Sequence, residues 1–318
     1  MTPRHTSTRS TTTAMEWWQA AILGLVEGIT EYLPISSTGH LIIASSLMGL
    51  DRPENKQAVD AFNIVIQGGA ILAVLGLYRQ RVGQMIAGVL GKDPAGLRLA
   101  IRLIVAFLPA AILGVLLNDL IESYLFRAGP VLAALFLGGV YMIAIDRRRM
   151  RHHRSDETTD DAHPGLESMS VRSALIIGLM QCIAMWPGTS RSMMTITGGV
   201  LTGLKPKDAA EFSFLLGLPT LGGACVWKLI NDLKDASEAG TPNIFETFGA
   251  SAMIIGIGVA TLSAIVAVRW LVGFLNKHGL ESFGWYRIAL AIALGSLIWA
   301  GVVTVDHTET TETAVVPD

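Results

Sequence analysis

"EGITEYLPISSTGH", Glu27 to His40, sets two carboxylates, a proline, a run of hydroxyls and a histidine inside an apolar stretch of about residues 15–49. A helix that crosses a hydrocarbon core needs about 20 consecutive apolar residues, and Pro34 removes a backbone donor in the middle of this one. The stretch therefore reads as two short helices joined by a turn, with Pro34 ending the first and Ser36, Ser37 and Thr38 opening the second. "MWPGTSRS", Met185 to Ser192, interrupts a second apolar stretch, about 171–203, in the same manner. Non-helical backbone at membrane depth is tolerated only where protein or a water-filled cavity satisfies its polar groups. Both stretches are thus predicted to be re-entrant helical hairpins whose turns line an interior site.

The rest of the chain agrees with a membrane protein. Of 318 residues, 51% are hydrophobic and 16% charged, with a mean hydropathy of +0.49, far more apolar than an ordinary soluble domain. Six uninterrupted apolar segments lie near residues 60–78, 98–118, 130–146, 208–230, 249–275 and 283–304. The expected fold class is an all-α integral membrane protein with six transmembrane helices plus two re-entrant hairpins. Cys182 and Cys225 stand in apolar surroundings without metal-ligand spacing and read as packing residues. Residues 1–14, rich in Ser and Thr without an apolar core, are expected to be a disordered tail and not a signal peptide. An acidic tail is expected over 305–318.

The two halves resemble each other. "ILGLVEGITEYLPISST" from Ile22 lies on "IIGLMQCIAMWPGTSRS" from Ile176, pairing Gly24 with Gly178 and Ser36 with Ser190. "AFNIVIQGGAILAV" from Ala61 matches "EFSFLLGLPTLGGA" from Glu211 in character. Each copy would hold one hairpin and three spans, and an odd number of spans inserts the second copy upside down, giving an inverted-topology repeat. A single membrane domain over 15–304 follows, with repeats at about 15–146 and 171–304 and a cytoplasmic loop at 147–170. Charge placement offers a separate test, since short cytoplasmic loops are rich in Lys and Arg. With the N-terminus outside, the inner segments carry Arg79, Arg81, Lys92, Arg98, "RRRMRHHR" at 147–154, Lys205, Lys207, Arg269 and Lys277. The outer ones carry Asp119, Glu122, Asp232, Asp235, Glu238, Asp306, Glu309 and Glu312. Both termini are therefore expected outside the cytoplasm. Acidic "SDETTDD" follows the basic run, which reads as a positive-inside loop and not as a nucleic-acid site.

Glu27 and Glu31 are spaced i, i+4 and share a helix face with Cβ atoms about 5–6 Å apart. Two like charges so close in a membrane interior call for a cation between them, Mg2+ or Ca2+, or for a shared proton. The alternative is a pair of structural carboxylates bonded to the turn. Ser36, Ser37 and Thr38 stand at a helix N-terminus, where free amides and the dipole attract anions. Thr189, Ser190, Arg191 and Ser192 repeat this and add a full positive charge able to grip a phosphate bidentately, unless Arg191 only pairs with Glu27 or Glu31. His40, of ordinary pKa about 6.5, lies one turn beyond Ser36 and Ser37 and is a candidate general acid or base. Thr195 and Thr197 could orient the same phosphates or merely pack. Asn63, Gln67, Glu211 and Ser213 wall the hairpins.

"EGITEYLPISSTGH" and "WPGTSRSMMTITGG" resemble the two signature segments of the undecaprenyl pyrophosphate phosphatase family of the bacitracin-resistance type, and the likeness runs from about residue 16 to 304. The family's E/Q-x-x-x-E motif corresponds to Glu27 and Glu31, followed by the hydroxyl run and His40. Its P-G-x-S-R-S-x-x-T motif corresponds to Pro187, Gly188, Ser190, Arg191, Ser192 and Thr195. The resemblance implies removal of the terminal phosphate from a C55 polyprenyl pyrophosphate at the outer face of the bacterial plasma membrane, with a divalent cation. On that reading Glu27 and Glu31 hold the metal, and Arg191 and the half-helix amides hold the terminal phosphate. Either Ser37 attacks with His40 as base, or His40 activates a water. A transporter of polyprenyl phosphate would need the binding groups but no acid, base or nucleophile, and a lipid-binding scaffold would leave the carboxylate pair and Arg191 without purpose. The copies of small-residue pairs Gly138 and Gly139, and Gly256 and Gly258, could pack helices within one chain or in a homodimer.

Overall fold

The computed structural model describes residues 15–50, 53–155, 165–240, 243–303 and 305; the expected N-terminal tail, the C-terminal one beyond residue 305 and residues 156–164 of the charged loop lie outside them. The described residues form helices only: α1 (Trp17–Thr30), α2 (Ser37–Leu47), α3 (Pro53–Leu77), α4 (Arg79–Val89), α5 (Pro94–Leu125), α6 (Ala128–Ser155), α7 (Val171–Ile183), α8 (Arg191–Leu201), α9 (Pro206–Ala239), α10 (Ile244–Leu275) and α11 (Glu281–Trp299). Six of them, α3, α5, α6, α9, α10 and α11, are long and apolar enough to cross a membrane, over Ala58–Leu77, Pro94–Asn118, Ala128–Arg151, Pro206–Glu238, Ile244–Leu275 and Glu281–Trp299. These are the six segments expected from hydropathy. Their outward faces carry exposed apolar side chains such as Ile112, Val115 and Leu116 on α5 and Ile254, Leu262 and Val266 on α10, a surface far larger than a water-soluble monomer leaves bare.

Local chemistry fixes the helix ends. Asp93 caps α5 by accepting from the amides of Ala95 and Gly96, with Pro94 next to it, and Ser170 caps α7 through the amide of Ser173. Asn243 and Glu246 form a reciprocal capping box at the start of α10. One element was not foreseen. The basic segment expected as a loop between the first two spans folds into α4, which lies against α5 where Gly88 meets the backbone of Gly96 and Leu97.

The expected interruptions are present, with α1 and α2 joined through residues 31–36 and α7 and α8 through 184–190. Helix packing follows the division into halves. α1 packs on α10 while α7 packs on α5, α2 touches α11 while α8 touches α6, and α3 with α9 and α6 with α11 join the halves. Exchanging the halves carries the first contact onto the second and the third onto the fourth, and returns α3 with α9 and α6 with α11 to themselves. Close approach needs glycine at the crossing points: a Cβ on Gly24 would strike the carbonyl of Gly256, and one on Gly178 the carbonyl of Ala106. Gly256 and Gly139 therefore serve packing inside one chain, the latter against Gly284. Cys182 and Cys225 are free and half-buried.

Candidate functional site

The two turns meet. Ser192 Oγ, in the first turn of α8, donates to the carbonyl of Leu33 at 2.8 Å, so the second helix pair is fastened to the turn of the first. Both turns end on a serine with positive φ, Ser36 at 73° and Ser190 at 76°, the only such non-glycine residues among those described. A positive φ is costly for a residue with a Cβ, and the same conformation recurs at the two aligned positions. The caps differ. Ser190 Oγ accepts from the amide of Met193 at 3.3 Å, whereas Ser36 makes no side-chain cap bond, and its buried hydroxyl has no partner.

Glu31 is the C-cap residue of α1, still in helical conformation with its amide on the carbonyl of Glu27, so the i, i+4 face persists past the helix end. Its carboxylate is the centre of the site. Oε2 accepts from Ser37 Oγ at 3.0 Å, and Oε1 accepts from Arg191 Nη2 at 3.2 Å, both ion-pair partners being nearly buried. Arg191 also donates from Nη1 to the Ser213 carbonyl at 2.9 Å, lies with its guanidinium carbon 5.8 Å from the Tyr32 ring centre, and has a buried Nε without a partner. The ion pair considered as the alternative role of Arg191 therefore exists. It uses one nitrogen and leaves the Nε–H for another acceptor.

Behind Glu31, Glu27 is fully buried, and neither of its carboxylate oxygens has a hydrogen-bond partner. The reading of a structural carboxylate bonded to the turn is therefore contradicted for Glu27. A buried charge without a partner is too costly to persist, so these oxygens suit a cation or a proton. Among the described residues no three His, Cys, Asp or Glu side chains gather as a complete metal shell. Among the described residues, Glu27 and Glu31 are the carboxylates that this site offers a cation.

His40 is placed differently from expectation. Its Nδ1 lies 2.7 Å from the carbonyl oxygen of Ser36 and its Nε2 lies 2.7 Å from the hydroxyl of Tyr286 on α11, the two rings being parallel. A carbonyl only accepts, so Nδ1 carries the hydrogen and Nε2 of the neutral ring accepts from Tyr286. The i, i+3 and i, i+4 spacing does not bring the imidazole onto Ser36 Oγ or Ser37 Oγ, because its ring turns toward α11. The side chain that Ser37 Oγ touches is instead the carboxylate of Glu31.

The remaining predicted residues surround this centre. Thr38 follows Ser37, half-buried; Thr189 is buried in the second turn; and Ser190 Oγ lies 3.0 Å from Ser192 Oγ. Thr195 donates to the Arg191 carbonyl at 2.8 Å and lies 2.6 Å from Ser213 Oγ, while Thr197 bonds the Met193 carbonyl, a packing contact within α8. Ser213 thus supports both Arg191 and Thr195. Glu211 turns away to pair with Arg81 at 3.0 Å, and Asn63 keeps a buried Oδ1 without a partner. Sequence reasoning passed over Tyr32, whose hydroxyl donates to the Ala70 carbonyl at 2.9 Å, and the consecutive pair Tyr286 and Arg287. An arginine inside an apolar span is itself a signal of function, and "WYRIALAIALG" carried it.

Comparison with known proteins adds the following. A family model described as bacitracin resistance protein BacA matches residues 20–293. The chain is 43% identical over 276 residues to an undecaprenyl-diphosphatase of Sorangium cellulosum, covering 87% of this chain and 84% of that protein. It is 44% identical over 290 residues to undecaprenyl-diphosphatase 2 of Rhodospirillum rubrum, covering 90% and 96%. An undecaprenyl-diphosphatase of Deinococcus deserti is 40% identical over 291 residues, covering 91% and 98%.

Proposed function

The chain belongs to the family of bacitracin resistance protein BacA, and from this membership we infer that it is a multi-pass membrane phosphatase. It hydrolyses undecaprenyl diphosphate to undecaprenyl phosphate and inorganic phosphate, the activity named for its relatives. The product is the lipid carrier of cell-wall synthesis, and its recycling underlies bacitracin resistance. The observation that carries the reading at atomic level is the chain Ser37–Glu31–Arg191, in which one carboxylate touches both a hydroxyl and a guanidinium from the other half of the molecule.

The residues divide the reaction as follows. Arg191, through its unpartnered Nε–H, and the free amides at the starts of α2 and α8 hold the terminal phosphate. Ser37 Oγ attacks the phosphorus as its proton passes to Glu31 Oε2. The bond from phosphorus to the bridging oxygen breaks, and its electron pair leaves with undecaprenyl phosphate. After Glu31 has released that proton to solvent, water attacks the phosphorus of phosphorylated Ser37 as its own proton passes to Glu31; the bond from phosphorus to Ser37 Oγ breaks, Oγ takes that proton back from Glu31, and inorganic phosphate departs. Arg191 opposes charge build-up on the phosphoryl group. His40 holds the carbonyl of Ser36 and so braces the strained start of α2; its Nε2 is available to the reaction only when Tyr286 withdraws. Glu27 and Glu31 would hold a divalent cation, Mg2+ or Ca2+, which would neutralise diphosphate charge. The orphaned oxygens of Glu27 support this.

The helix pairs α1–α2 and α7–α8 are re-entrant hairpins of an inverted repeat. The exchange of helix contacts between halves and the matching positive φ of Ser36 and Ser190 support this. The charge bias places the site toward the outer face of the bacterial plasma membrane with both termini outside. A pure transporter of polyprenyl phosphate gives no reason for a serine hydroxyl set on a carboxylate.

The test is phosphate release from a C55 polyprenyl diphosphate by purified protein in detergent, with and without chelator. Release that stops with chelator and resumes with Mg2+ or Ca2+ is expected. Absence of release under every divalent cation would sink the phosphatase reading, and release indifferent to chelator would remove the cation.

A further inference from the structure

We propose that Arg287 is a positioning residue that fixes the anion-binding turn of the second hairpin, an inference that rests on the diphosphate reading of that turn. Arg287 stands in the middle of α11, has no exposed surface, and forms no ion pair among the described residues. A cation in that setting is costly, and persists only where the molecule uses it.

Its contacts say what it holds. Nη2 donates to the carbonyl of Ala134 on α6 at 3.0 Å and to the carbonyl of Gly188 at 2.8 Å. Gly188 belongs to the turn "PGTSR" that ends in Arg191, and its φ of 92° admits little but glycine. A Cβ there would lie 2.7 Å from the Val131 carbonyl, so the turn is pressed against α6 and the guanidinium ties it down. Room for the guanidinium is built into α6. A Cβ on Gly138 would collide with Nη2 and come within 3.0 Å of Cζ and 3.1 Å of Nε. The Nε and Nη1 groups have no partners, so no carboxylate cancels the charge, and its field adds to that of Arg191 where a diphosphate would bind. The preceding residue, Tyr286, reaches His40 on α2. Consecutive residues of α11 therefore hold the two hairpins, and the distance between their anion-binding starts is set from this one helix.

The experiment compares the wild type with Arg287→Lys, Arg287→Gln and Gly138→Ala, in detergent. Three quantities are read: kcat and KM for the polyprenyl diphosphate, inhibition by inorganic pyrophosphate, and protection by pyrophosphate against thermal unfolding. Arg287→Gln should weaken pyrophosphate binding about tenfold or more and lower kcat/KM by about 10². Arg287→Lys should recover most of the binding, because charge is kept, and little of kcat, because a flexible ammonium is not fixed in place as the planar guanidinium seated on Gly138 is. Gly138→Ala keeps the charge but displaces the guanidinium, and should lower kcat with pyrophosphate binding within about threefold of wild type. A role confined to stability would show lowered melting temperatures with unchanged pyrophosphate affinity in Arg287→Gln, and that result overturns the proposal. If Arg287→Gln does not fold, unchanged kcat and KM in Gly138→Ala overturn it instead. A wild type that binds pyrophosphate but releases no phosphate would sink the phosphatase reading alone, because the binding comparison still decides Arg287.

Discussion

In the first hairpin the chain leaves α1, turns through Pro34 and enters the 11-residue α2 from Ser36 at φ 73°; in the second it leaves α7, turns through Gly188 and enters the 11-residue α8 from Ser190 at φ 76°. The backbones agree, and the side chains at aligned positions do not. Glu27 faces Gln181 in the alignment, Glu31 faces Met185, Ser37 faces Arg191 and His40 faces Met194. One copy thus carries the carboxylates and the Ser37 hydroxyl, and the other the guanidinium of Arg191. The difference teaches that two helix starts of like backbone bring unlike groups together, a carboxylate with a hydroxyl from one and a guanidinium from the other, as the proposed hydrolysis of one phosphate requires.

The largest effects should come from breaking the contact between unlike groups. Arg191→Ala and Glu31→Gln are each expected to lower kcat/KM by about 10³ or more, read by phosphate release, and Arg191→Lys should restore only part because a lysine cannot span the same acceptors. Next come the serines. Ser37→Ala should cost about 10²-fold or more in kcat, whereas Ser36→Ala, removing a hydroxyl without a partner, should cost less than about threefold. Equal losses at the two positions would show that Ser37 is one donor among several and not the nucleophile.

Much of this was legible before any coordinates. The six spans follow from hydropathy because lipid-facing helices must be apolar throughout, and the hairpins follow from Pro34 and Pro187 because a helix interior does not tolerate a missing donor without compensation. The i, i+4 carboxylates and the helix starts after Ser36 and Ser190 were legible for the same reason, being local. What sequence did not reveal is long-range. Nothing in the spacing of Ser37 and His40 tells that the serine turns to Glu31 and the imidazole to Tyr286, because that choice is made by α11, which lies far along the chain. Likewise Glu211, expected beside the hairpins, pairs with Arg81 because α4 forms where a loop was expected.

Smaller effects would sharpen the division further. His40→Ala should lower kcat by about tenfold through a loosened start of α2, and Tyr286→Phe by less than about fivefold; a loss at His40 as large as that at Glu31 would return it to the chemistry. Gln181→Glu copies a carboxylate of the first hairpin into the second, where the Nε2 is buried and unpartnered and Oε1 accepts from Thr220. It should gain no activity and lose about 2–4 kcal/mol of stability, because the new charge has no cation across from it. Gly28→Ala sets a Cβ against Ser263 Oγ and the Ala260 carbonyl on α10 and should cost about 1–3 kcal/mol in thermal or denaturant unfolding, with KM little changed in the folded fraction.

The central claim, that the two hairpins form one hydrolytic site through Glu31 and Arg191, is tested most directly by a double-mutant cycle. Phosphate release from the polyprenyl diphosphate is measured for wild type, Glu31→Gln, Arg191→Ala and the pair together. Residues that act as a unit are strongly non-additive, so the double variant should be no more than about threefold slower than the slower single variant. Losses that multiply in full would contradict the claim and place the two residues in separate steps.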